Sequence, residues 1–171
     1  MKMTANARLL NRPVTEPVTA LIPAVSPRPL RAARMDFSAL ESAPYWARKF
    51  ARRFLGHCHD ITRETAENAE LLVSELVTNA YQATGVPSGP ETTYSQRADA
   101  PVITLSLRHF RAELLIEVID SSPLMPHLTD PGIDAENGRG LMLTEALSTE
   151  WGYFPVSYGG KCVYCVLPTG A

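Results

Sequence analysis

The sequence predicts an α+β fold: a two-layer sandwich with helices on one face of a mixed, mostly antiparallel sheet. Three observations predict it. Two pairs of short apolar runs are joined as hairpins, Val102–Leu107 with Leu114–Asp120 and Trp151–Phe154 with Lys161–Leu167. Two longer segments, Ala43–Leu55 and the stretch between Asp60 and Gly85, repeat their apolar residues at the helical period. The chain has 171 residues and 45% hydrophobic content, enough for one domain with one sizeable core.

Taken in order, residues 1–33 hold five prolines (Pro13, Pro17, Pro23, Pro27 and Pro29) without periodicity. They read as a flexible tail, either a passive leader or a partner-binding arm. Residues 34–171 form the domain. Arg31–Phe37 reads as a first strand that begins within the tail's last residues. In Ala43–Leu55, Tyr45, Trp46, Phe50 and Phe54 recur at helical intervals. Asp60 or Thr62 can cap the next helix, and Gly85 can end it. Gly85–Ala100 is polar and carries Pro87, Gly89 and Pro90, so it reads as a long loop. Arg108–Ala112 joins the first hairpin. Leu124–Asn137, with Pro126, Pro131 and Gly132, reads as a loop, and a helix follows over Gly140–Leu147. Pro155 and Gly159-Gly160 connect the second hairpin.

Bulk properties exclude several classes. A net charge of −2 provides no global basic field for nucleic acid. No run approaches the roughly 18 apolar residues of a membrane span, and prolines interrupt any signal-peptide core, so a cytoplasmic location is expected. Three cysteines cannot all pair, which argues against a disulfide framework. Cys162-Val-Tyr-Cys165 has metal-ligand spacing, and His57-Cys58-His59 offers further ligands. Strand alternation, however, sends positions 162 and 165 to opposite faces, as for ordinary core cysteines.

Three segments carry chemistry. In Glu67–Ala80 the residues Leu72, Val73, Leu76, Val77 and Ala80 form an apolar stripe. Glu75 and Asn79, four apart, stack on another face. A carboxylate on a rigid helix suits a general base, and a carboxamide oxygen suits Mg²⁺, which takes hard oxygen ligands. In Leu114–Asp120 the alternation places Asp120 at the end of an apolar face, where a buried carboxylate needs a donor. In Gly138-Arg139-Gly140-Leu141 the glycines permit close backbone approach to phosphates, and the helix that follows presents free N–H groups to an anion. Lys161 can face either the phosphates or solvent.

In this order, Ser74-Glu-Leu-Val-Thr-Asn-Ala80, Asp120 and Gly138-Arg-Gly140 resemble the N, G1 and G2 boxes of the GHKL ATPase family, which includes histidine kinases, gyrases and MutL. The likeness is closest to its small bacterial branch, the anti-sigma-factor serine kinases. Trp151-Gly152 … Gly159-Gly-Lys-Cys-Val-Tyr164 resembles the family's closing hairpin. The resemblance covers roughly residues 34–168 and implies the Bergerat-type ATP-binding fold, with ATP and Mg²⁺ as cofactors. It implies Glu75 as catalytic base, Asn79 as the Mg²⁺ ligand and Asp120 on the adenine amine. Gly138, Arg139, Gly140 and Leu141 would lie at the phosphates, and Ala83 and Ser122 occupy family binding positions. The implied partners are an antagonist protein phosphorylated on Ser or Thr, or a sigma factor, and a homodimer is a family-level expectation.

The sequence departs from that pattern at three places. Ser122 stands where the family has Gly. Ala83 stands where it often has His or a bulky residue. Leu124–Asn137 is short for a lid and lacks glycine repetition. These departures favour a second hypothesis, an ATP-binding regulatory module without kinase activity. A sensor histidine kinase is disfavoured, because His57, His59, His109 and His127 all fall within the domain or its loops.

Overall fold

The computed structural model describes residues 28–87, 89, 92–124, 139–157 and 159–170, the Arg139 side chain excepted. The expected tail (residues 1–27 of it), the loop after Leu124 and Gly138 lie outside the described residues.

Five strands form one sheet: β1 (Arg31–Ser38), β2 (Val102–His109), β3 (Glu113–Asp120), β4 (Glu150–Pro155) and β5 (Lys161–Pro168), in the order β1-β2-β3-β5-β4. Every described pairing is antiparallel, so the expected mixed character is absent among these strands. The helices are α1 (Ala43–Leu55), α2 (Arg63–Thr84), α3 (Tyr94–Ala98) and α4 (Arg139–Leu147).

Period-two alternation decides which strand residues meet the helices. Ile103, Leu105 and Leu107 of β2, Leu114, Ile116 and Val118 of β3, and Val163, Cys165 and Leu167 of β5 all enter the main core. Ala47, Ala51 and Phe54 of α1, with Leu72, Val73, Leu76 and Val77 of α2, close that core from the other side. Each of the larger apolar side chains contributes on the order of 1.5–3 kcal/mol through burial. Cys162 points to the opposite face from Cys165, as the alternation requires. On that face Phe110, Leu115, Tyr164 and Val166 form a smaller cluster.

Thr62 caps α2: it accepts a hydrogen bond from Thr65 N–H at 3.2 Å. Asp60, the other candidate cap, lies instead 3.4 Å from His109 Nε2. The segment expected to be an unbroken loop over 85–100 contains the one-turn helix α3. A capping box holds it, with Thr93 and Gln96 bonding reciprocally.

Candidate nucleotide site

Two groups of side chains are built on the helix side of the sheet. The first joins α2 to α4. Glu75 and Asn79 are both half-buried, one turn apart on α2. Gly140, in the first turn of α4, lies directly against them. A methyl group there would stand 2.9 Å from Glu75 Oε2 and 3.1 Å from Asn79 Nδ2. Only glycine leaves this contact unstrained. Thr144, fully buried, donates its hydroxyl to the Gly140 carbonyl at 2.8 Å and pins the start of α4. Leu141 is buried beside Gly140. On α2 the preceding residue, Ser74, accepts a hydrogen bond from Arg48 Nη1 at 2.6 Å, which ties α1 to the same turn of helix.

The second group closes the end of β3. Asp120 is 3% exposed, and its Oδ1 accepts from Lys161 Nζ at 2.8 Å and from Ser122 N–H at 2.8 Å. Lys161 is therefore turned away from solvent: it is the buried counter-ion of Asp120. Among the described residues no hydrogen bond engages Oδ2. Ser122 is also buried, and its Oγ accepts from Leu124 N–H at 3.2 Å, so the residue that replaces the family's glycine closes the turn after β3. Gly160, with φ +91°, packs against the Asp120 carbonyl, where any side chain would collide.

The structure thus brings Glu75, Asn79, Gly140 and Leu141 together, and places Asp120 and Ser122 in a separate group with Lys161. Ala83 is exposed near the end of α2, one turn beyond Asn79. Gly138 and the Arg139 side chain lie outside the described residues. Sequence reasoning left Lys161 undecided and missed Thr144. Strand alternation with Val163, Cys165 and Leu167 was a signal that could have turned Lys161 inward, but its partner depended on the β3–β5 register, which pairs Asp120 with Lys161.

Chemically, the first group offers a carboxylate base beside a carboxamide and a side-chain-free patch of backbone at a helix start. This donor set suits a hard cation shared with phosphate oxygens. The second offers one free carboxylate oxygen in a buried setting, suited to an amine donor. Two shallow clefts on the described surface lie elsewhere, along α1.

An α+β sandwich with these two groups has the layout and the donor types that a nucleotide-binding domain needs. The sequence matches the family of histidine kinase-like ATPase domains over residues 37–166, and the chain belongs to that family. It is therefore an ATP-binding domain. No curated protein shows a significant match to the chain. No described helix is long and apolar enough to cross a membrane.

Proposed function

We propose that the chain is a Mg-ATP-dependent protein kinase of the anti-sigma-factor type. It transfers the γ-phosphoryl group to a Ser or Thr of a protein antagonist, and controls transcription by holding a sigma factor when the antagonist is phosphorylated. The observation that supports this reading is the seat of Gly140 against Glu75 and Asn79, which brings a carboxylate, a carboxamide and the first turn of a helix together.

In phosphoryl transfer, positioning and charge neutralisation supply most of the catalysis. Glu75 takes the proton of the attacking hydroxyl as the new O–P bond forms. The bond to the β-phosphate oxygen breaks, and ADP leaves with that electron pair. Asn79 would hold Mg²⁺, which would supply neutralisation of phosphate charge. Asp120 Oδ2 would accept from the adenine amine, while Lys161 and the Ser122 N–H hold Oδ1 in place. A homodimer belongs to this reading only as an expectation carried over from the branch the sequence resembles.

The test is phosphotransfer to a candidate antagonist by wild type and Glu75→Ala, with ATP binding followed by calorimetry. Glu75→Ala should bind ATP normally and lose transfer. Equal rates in the two proteins would overturn the assignment. A second reading, an ATP-binding regulatory module without turnover, is favoured by the buried Ser122 in a position the family gives to glycine. Glu75-dependent ADP production would exclude it.

A further inference from the structure

Helix α1 contributes Ala47, Ala51 and Phe54 to the core and turns a different face to solvent. Tyr45, Lys49 and Arg53 recur every four residues along that exposed face, with His57 next in register just past the helix end. This stripe covers about 12 Å of helix between Tyr45 and Arg53. Trp46 adjoins it at 56% exposure and packs edge-on against Tyr45, which is 47% exposed. The Lys49 ammonium lies 5.5 Å from the centre of the Tyr45 ring.

The face has a single sign of charge. Ala43–Leu55 contains Arg48, Lys49, Arg52 and Arg53 and no acidic residue. Among the described residues only Arg52 has a carboxylate partner, Glu70 at 2.6 Å. Arg31 on edge strand β1 extends the patch. The molecule as a whole carries −2, so this patch opposes the overall charge.

Two shallow surface clefts open here. One, of about 280 Å³, has an apolar floor of Ala33, Phe50 and Phe54, with Arg31, Arg53 and His57 around it. The other, of about 200 Å³, is lined by Tyr45, Arg48, Lys49 and Arg52. Exposed aromatic residues beside unpaired cations are the composition of an interface hot spot. The apolar floor calls for an apolar side chain, and the cations around it call for carboxylates. A nucleic-acid backbone supplies phosphates but no aliphatic anchor for that floor.

We propose that this face of α1 is a docking surface for an acidic segment of a partner protein, with Asp or Glu side chains interspersed with aliphatic or aromatic anchors. The patch reaches Arg48, whose guanidinium bonds Ser74, the neighbour of Glu75. A docked segment therefore lies on the helix that touches the catalytic turn. That role in presenting a hydroxyl rests on the kinase reading; the docking itself does not.

The test uses the full chain and a random library of 16-residue peptides, selected on wild type and on Lys49→Glu/Arg53→Glu. Both substituted side chains are exposed, and ATP binding checks that the variant is folded. The expected result is a consensus rich in Asp or Glu with apolar residues between. Affinity for the selected peptide should fall at least tenfold in the double variant and in Trp46→Ala, with ATP affinity unchanged. No enrichment, a neutral or basic consensus, or equal binding by the double variant would overturn the proposal. So would binding of a single-stranded DNA 20-mer that the double variant loses and Trp46→Ala retains. Because the readout needs no phosphotransfer, failure of the kinase reading leaves this result interpretable.

Discussion

Gly140→Ala separates the site from the fold. Gly140 has no positive φ, so alanine suits its backbone. At such a position the change stabilises a chain by about 0.4–1 kcal/mol, by restricting the unfolded state. Against this, the new methyl stands 2.9 Å from Glu75 Oε2 and 3.1 Å from Asn79 Nδ2. Ordinary contact is about 3.5 Å, so both side-chain ends must withdraw by roughly half an ångström. They are the tips of half-buried side chains, so the cost to folding is small and offsets little of the gain. The site responds differently. A misplacement of about 1 Å can cost on the order of a hundredfold in rate, so half of that corresponds to roughly tenfold. We therefore expect Gly140→Ala to melt at the wild-type temperature or up to about 4 °C above it. Mg-ATP affinity, or phosphotransfer where it occurs, should fall about tenfold, which is roughly 1.4 kcal/mol. The assays are thermal melting and calorimetry of Mg-ATP binding on the same preparation. Unchanged affinity and transfer would refute the placement of Glu75 and Asn79 at the phosphates. A fall in melting temperature of several degrees would refute the claim that the contact is with yielding side-chain ends.

Three further outcomes follow from the same structure. Lys161→Met strands the buried Asp120 carboxylate with only the Ser122 N–H, and should cost about 3–5 kcal/mol in urea unfolding; Asp120→Asn/Lys161→Met should recover most of that loss, and equal costs for the single and double variants would show that the pair is unimportant. Burial pushes the Glu117 carboxyl up, more than Arg108 and its hydrogen bonds pull it down. The folded protein then keeps a proton that the unfolded chain loses near pH 4.3, so stability falls as pH rises through the weakly acid range. Glu117→Gln should remove that slope, and the difference in melting temperature between variant and wild type should grow with pH over this window; a flat difference would contradict it. Burial also pushes the thiols of Cys58, Cys162 and Cys165 up, so a thiol reagent should titrate none in the native protein and three in guanidinium; rapid native labelling at position 162 or 165 would count against the observed register.

Much of this molecule was legible from local pattern. Phe50, Phe54, Leu72, Val73, Leu76 and Val77 announce α1 and α2, because a helix must bury one stripe and the period shows in the residues themselves. Strand alternation is equally local, so it placed Asp120 at the end of an apolar face and set Cys162 and Cys165 on opposite sides. Glu75 and Asn79 were legible as a stacked pair for the same reason. Helix α3 escaped notice because it is held by the reciprocal bonds of Thr93 and Gln96, and five residues are too few to show a period. What the chain alone left open was partnership between distant elements. Whether Lys161 would face phosphate, solvent or a carboxylate depended on the β3–β5 register, which no local pattern records. That Gly140 lies against Glu75 and Asn79 depended on how α4 docks on α2, a choice made by burial of Leu141 and Thr144. The short-range periodicity of the backbone determined the elements and their buried faces, while the pairing of one carboxylate with one lysine, and of one glycine with two side chains, was decided only when the whole core packed.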